Sequence, residues 1–312
     1  MAATKTVTDS INWTKPFLNW ANLTIGVNQE PALTSANLTL QTIVGPPFVW
    51  PWNRNNTFFL TTVGQQDYTV ALSNFGFLEA ASIELCGTIT SVTVASNVAT
   101  FTAVNGFSTL PNEGQGQIVT TTGCTTSALN GSFPIISATP TSFTVAIVTS
   151  NITESESGAL AVAGPSTVVE LKWGALSEDR ALDKPGFIST QMSDESGTTY
   201  VFRLMPIPEN NYRVNLIYQE SPTLLTDVSN TWGIPNQIQY IYNYFFAFFM
   251  FDYFDDPRAA KYRQLAVAAL LARQSGLSET DRNLFLGNWL PLMQEEISTS
   301  GSATQGNQAK GI

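Results

Sequence analysis

Hydrophobic positions follow helical spacing at both ends of the chain and alternate through the middle. Near the start, "TVTDSINWTKPFLNWANLT" brings Ile11, Phe17, Leu18 and Leu23 together at helical spacing. Thr8, Asp9 or Ser10 serve as candidate N-caps, and Pro16 as a start or a kink. "PALTSANLTLQTIVG" repeats the pattern with Leu33, Ala36, Leu40 and Val44, and Gly45 stops it. Two short helices joined near Gly26 to Glu30 are expected. Phe58 and Leu60, then Tyr68, Val70 and Leu72, alternate as strands, with "VGQQD" as the turn between them.

From residue 87 to 164 the chain turns rich in Thr, Ser, Gly and Val. "TSVTVASNVATFTAV" reads as a hairpin with "ASN" at its turn, and "QIVTTTG", "GSFPIIS" and "TSFTVAIV" as further short strands. Such spacing predicts a small sandwich or barrel. The flanks "EAASIEL" and "TVVELKW" both read as strands able to pair with each other, so this stretch looks inserted. Beyond it, Phe202 and Leu204, then Tyr212, Val214, Leu216 and Tyr218, alternate around the turn "PIPENN".

The last third is helical. Seven apolar residues run from Phe245 to Phe251 and stop at Asp252, Asp255 and Asp256. A membrane span needs about 20 mostly apolar residues. A helix this short and apolar all round is instead covered by protein, from its own chain or a neighbouring subunit. Asp256-Pro257 restarts a helix whose stripe is Tyr262, Leu265, Ala266, Ala269 and Leu270, ended by Gly276. Ser278 to Asp281 resembles a capping box opening a third helix through Phe285, Trp289 and Leu292, kinked at Pro291. The fold class expected is α+β: a helical bundle built from N- and C-terminal helices, an antiparallel β region, and an inserted small all-β module of sandwich, immunoglobulin-like type. The domain map is 1–86 with 165–298 as body, 87–164 as inserted module, and 299–312 as a flexible tail of polar composition.

Composition narrows the function. The chain has 312 residues, a net charge of −10 and no histidine. Triads built on histidine, histidine-ligated zinc and the usual general base near neutral pH are thereby removed. No basic patch of a free-standing nucleic-acid binder is visible. The start, "MAATKTVTDSINW", has no apolar core of a secretion signal, so Cys86 and Cys124 are expected as reduced thiols. Asp252, Asp255 and Asp256 admit a metal or acid–base reading, but helix capping explains them better. Arg258, Lys261 and Arg263 read as a solvated face, as partners of those aspartates, or as phosphate contacts. Trp50, Trp52 and Arg54 alternate as on one strand face. That suits ring stacking on a sugar or base, an interface anchor, or plain core packing.

"GPPFVWPWNRNN", "GQQDYTV", "FGFLEAASIEL", "FRLMPIPENNYRVNLIYQESPTLLTDVSNTWGIPN" and "FDDPRAAKYRQLAVAALLARQSGLSETDRNLFL" together resemble the head–tail connector proteins, also called adaptor or neck proteins, of tailed bacteriophages. The resemblance covers residues 5 to 290 apart from the insert, by order and flavour of segments. It implies a structural, non-enzymatic virion protein of the neck, assembled in the host cytoplasm, with no cofactor and no membrane. It implies a homo-oligomeric ring, commonly a dodecamer, beneath the portal protein and against a tail or nozzle protein. Genomic DNA then passes through the channel without sequence-specific binding. Trp50, Trp52, Arg54, Arg258 and the tail residues Gln305, Lys310 and Ile312 are the candidates for the ring or portal interface. Another tail component (nozzle, stopper or fibre-attachment protein) is the alternative, and a carboxylate-based cell-wall hydrolase a more distant one.

Overall fold

The computed structural model describes residues 5–18, 30–164, 169–173, 181–192, 197–274, 276 and 278–286. The chain divides into two compact units, one of residues 1–54 with 219–312 and the other of 55–218.

The first unit is helical. It holds α1 (Val7–Leu18), α2 (Ala32–Val44), α3 (Gln239–Tyr253), α4 (Ala259–Arg273) and helical turns at 279–286. Helix α1 starts earlier than its hydrophobic spacing suggests, because Thr6 is the cap. The Asp9 N–H donates to Thr6 Oγ1 at 3.3 Å, and the Thr6 N–H donates back to the Asp9 carboxylate at 2.8 Å. This is a capping box with aspartate in the acidic place. Those bonds to Thr6 hold the Asp9 carboxyl below its usual range. Pro16 sits inside α1. Gly45 closes α2, donating its N–H to Gln41 O at 2.9 Å; a Cβ there would lie 2.5 Å from that same oxygen.

Helix α3 is the unit's centre. Ile241, Tyr242, Phe245, Phe246, Ala247, Met250 and Phe251 are fully buried, against residues of α1, α2 and α4. The apolar run is thus covered inside one folded unit. Among the described residues no helix is long and apolar enough to cross a membrane. One polar pair sits in this core: Ser10 Oγ donates to Asn243 Oδ1 at 2.7 Å, both residues buried. The buried stripe of α4 is Ala259, Arg263, Ala266, Val267 and Leu270, whereas Leu265 faces out. Ser278 and Asp281 do form the expected cap: the Asp281 N–H donates to Ser278 Oγ at 3.1 Å.

The second unit is all β. Its strands are β1 (Arg54–Leu60), β2 (Asp67–Ala71), β3 (Phe75–Ala95), β4 (Val98–Val104), β5 (Ile118–Thr122), β6 (Gly131–Thr139) and β7 (Ser142–Ala146). They continue as β8 (Ile152–Ala163), β9 (Val169–Trp173), β10 (Leu182–Asp183), β11 (Phe187–Met192), β12 (Thr199–Met205), β13 (Ile207–Pro208) and β14 (Tyr212–Glu220); Arg54 of β1 and the last two residues of β14 fall to the first unit. An open sheet runs β1-β14-β3-β9-β11-β12-β2. The loop at 61–66 brings its two edges near each other, so that Phe59 of β1 stacks on Tyr68 of β2 at 5.0 Å. The expected hairpins across "VGQQD" and "PIPENN" do not exist. β1 pairs with β14, β2 with β12, and β12 with β11. The alternation of Tyr212, Val214, Leu216 and Tyr218 was legible, and all four are buried. Their partners are distant in sequence.

Strand β3 leaves the open sheet and continues into a closed barrel of order β3-β4-β7-β6-β5-β8. Closure is made by β3 and β8, with Cys86 opposite Val162 and Val94 opposite Ile152. The hairpin at Ser96-Asn97 is present, both residues at positive φ (52° and 64°) as a tight reversed turn requires. Phe101 and Phe143, directly opposite across β4 and β7, stack at 4.8 Å with a 4° interplanar angle, and Phe107 meets Phe143 edge-on at 5.4 Å. With Val92, Val119, Val145 and Ala161 these rings fill the interior.

The expected fold class is therefore corrected. Among the described residues 41% are strand and 31% helix, and the β module is a closed six-stranded barrel, not an immunoglobulin-like sandwich. The protein is not a helical bundle carrying a small β module. Sandwich and barrel share inward–outward alternation; they differ in whether the first and last strands pair. Nothing in a local pattern announces the bond between Cys86 and residues some seventy positions on. The flanks do pair, Ala81 opposite Leu171 and Ile83 opposite Val169. One continuous apolar cluster runs from the open sheet into the barrel.

Candidate interaction surface

Of the described residues singled out from the sequence, Arg54 and Arg258 are exposed, Trp50 is buried and Trp52 half-buried. Trp50 is 4% exposed, and its indole N–H donates to Ile43 O at 2.7 Å at the end of α2. Its backbone N–H is taken by the buried Gln219 side chain at 3.0 Å. Trp52 is half-buried against the same helical core, its ring 5.9 Å from that of Trp50. The two rings stand on a short 3-10 turn, Pro51–Asn53, and not on a strand face. The W-P-W spacing imitates alternation because Pro51 fixes φ for such a turn. Arg54 is exposed at the first position of β1. Gln305, Lys310 and Ile312 lie outside the described residues.

Arg258 belongs to the corner between α3 and α4. Its guanidinium meets the Asp256 carboxylate through Nε at 2.9 Å and Nη2 at 2.6 Å, and lies 4.8 Å over the Phe251 ring. The Asp256 carboxylate also takes the Arg258 N–H at 2.9 Å, and its carbonyl takes the Ala259 N–H at 2.9 Å. The aspartate thus closes the turn ahead of α4. Arg258 beside it holds the Asp256 carboxyl below the usual range. The chain reverses through Asp255 at φ 50°. The Asp256 N–H donates to Phe251 O at 2.9 Å and the Asp255 N–H to Asp252 O at 3.1 Å. The outward face of this corner shows Tyr253, 66% exposed, and Phe254, 41% exposed. Sequence reasoning weighed the aspartates here and passed over the two rings. The signal for them was the greasy run continuing past Asp252.

Other reactive groups are committed elsewhere. Cys86 and Cys124 are free and buried. Burial, with Glu84 adding to it, pushes the Cys86 thiol up to about 12; burial, then Glu156 and Glu154, pushes Cys124 to about 11. Neither is a ready nucleophile. Glu156 accepts the Thr125 N–H at 3.0 Å and Glu154 the Thr126 hydroxyl at 2.9 Å, tying the loop at 123–130 to β8. Among the described residues no three acidic or thiol groups are arranged to hold a metal ion.

The family model for the SU10 adaptor protein matches residues 53–287, from the 3-10 turn below Trp52 to the helical turns beyond α4. The chain belongs to the SU10 adaptor protein family. It is a phage structural protein of adaptor type and a virion component. No curated protein matches this adaptor. The matched span holds Arg54, Arg258 and the α3–α4 corner; Trp50 and Trp52 precede it.

Proposed function

We propose that this adaptor joins capsid to tail, as a homo-oligomeric ring beneath the portal through which genomic DNA passes. The observation that carries the reading is the family match over residues 53–287. Charge supports it. The net charge is −10, and Arg203, Arg213 and Arg258 are each paired with a carboxylate. A channel wall of this balance does not grip phosphates, since that grip depends on free Lys and Arg. The polar tail from residue 299 supplies a segment that orders on binding the portal.

The test is co-sedimentation of the full chain with purified portal rings, beside a form truncated after Ser298, followed by electron microscopy of the pelleted complex. The full chain is expected to pellet as a ring on the portal, and the truncated form to stay in solution. Equal binding by both moves the contact from the tail to the folded units. Failure of the full chain to bind, with normal binding to isolated tails, replaces the portal adaptor by a tail component.

A further inference from the structure

We infer that the α3–α4 corner is a docking knob for a partner protein that presents an arginine beside an apolar hollow. Rings in this protein repeatedly carry a guanidinium: Arg213 lies 4.3 Å over Phe58, Arg258 4.8 Å over Phe251, Arg263 5.5 Å over Phe248 and Arg273 5.8 Å over Tyr240. Tyr253 is the most exposed large aromatic of the described residues at 66%, and it carries no cation among them. Its one ring neighbour is Phe254, edge-on at 5.0 Å, which leaves a face open.

The charges around it fit the same guest. Asp252 and Asp255 flank the two rings, both are exposed, and neither carboxylate has an ion-pair or hydrogen-bond partner among the described residues. Asp252 stands one residue before Tyr253 and Asp255 two after it, and an open ring with carboxylates close by in the chain favours arginine over lysine. The corner is also held before any partner arrives. The backbone bonds to Phe251 O and Asp252 O and the clamp of Asp256 on Arg258 fix its path, so little ordering cost falls on binding. The rings project from a helix–helix turn, a convex feature that enters a concavity and does not enclose a small molecule. This inference rests on the corner alone and holds for any virion neighbour of that chemistry.

The probe is a fluorescently labelled acetyl-(Gly-Arg)4-amide peptide, titrated with the full chain by anisotropy at low and moderate salt, beside its Gly-Lys and Gly-Gln counterparts. The Gly-Arg peptide is expected to bind most tightly. Tyr253→Ala and Tyr253→Leu should each weaken it about fivefold, the range for loss of a ring–cation contact. The position is exposed, and Leu preserves apolar contact while removing the ring. Asp252→Asn with Asp255→Asn should weaken it similarly. Glu113→Gln with Glu170→Gln makes the same charge change on exposed residues of the other unit and should leave binding within twofold. Equal losses from the two double variants, or no loss from either Tyr253 variant, reduce binding to the general acidity of the chain and overturn the inference. So does the absence of binding by the unaltered protein. None of these outcomes bears on whether the protein sits at the portal.

Discussion

Replacing Phe143 by alanine removes a ring from the middle of the barrel. The side chain is fully buried, stacked on Phe101 at 4.8 Å and met edge-on by Phe107. Buried Phe→Ala substitutions cost about 3–5 kcal/mol, with the higher values where surroundings cannot collapse into the hole. Here they cannot. Every barrel strand is hydrogen-bonded on both sides, so no strand can move inward without breaking a ladder. The expected cost is therefore about 4–5 kcal/mol. With a urea dependence of roughly 2–3 kcal/mol per molar, the midpoint falls by about 1.3–2.5 M. The assay is urea unfolding followed by far-ultraviolet circular dichroism, with Val148→Ala, at a tip residue 90% exposed, as the near-silent control. A Phe143→Ala midpoint within about 0.3 M of the unaltered protein would mean that the barrel interior is loose or yields easily, and the packed-barrel account would fail.

Ser10→Ala leaves Asn243 buried without its partner and should cost about 1–3 kcal/mol, read by thermal melting; adding Asn243→Leu should recover most of that, and no recovery would mean the pair is not the source. Asp256→Ala removes the turn closure ahead of α4 and should cost about 1 kcal/mol near neutral pH. Because the folded-state carboxyl of Asp256 is lowered, its contribution is present above the unfolded value and lost as pH falls through the folded one. The gap between variant and parent in melting temperature should close in strong acid, and a gap constant with pH would refute the ionic account. Replacing residues 87–164 by a short Gly-Ser linker should leave a cooperatively melting body of lowered stability, since Cys86 and Val162 sit side by side and the flanks pair below them; a body without a cooperative melt would show that the shared apolar cluster makes the barrel indispensable.

What the sequence disclosed was local. The Ser96-Asn97 turn, the buried alternation of Tyr212 to Tyr218, the Ser278–Asp281 cap and the sealed helix around Phe246 each depend on residues within a few positions of one another. The hairpins at 61–66 and 206–211 were misread because adjacent strands in sequence pair with remote ones in space. β12 takes β11 and β2, while β14 takes β1 and β3. Barrel closure failed to show for the same reason. Thr6 was overlooked as a cap because the apolar spacing read from the sequence begins at Ile11, a full turn inside the helix that starts at Val7. Trp50 admitted ring stacking, an interface anchor or core packing; it is buried, and its backbone N–H is held by Gln219, which is distant in sequence. Tyr253 and Phe254 were hidden in plain view: their side chains belong by composition to the buried run, but they stand at the C-terminal end of α3 and are exposed.

Strand β3 has a mechanical meaning. Its 21 residues give a contour of about 70 Å, flanked in turn by the strands of the open sheet and by both neighbours that close the barrel. At the passage between the two, Gly87 lets Val104 O approach to where a Cβ would stand 2.8 Å away, so the seam is tight and not a hinge. A pull along such a strand loads its flanking hydrogen bonds in shear, many at once, whereas a module on a flexible tether would peel away bond by bond. The barrel is in this sense a spar rooted in the sheet. A lateral load on its tip is delivered to the sheet as torque through β3, a strand that belongs to both.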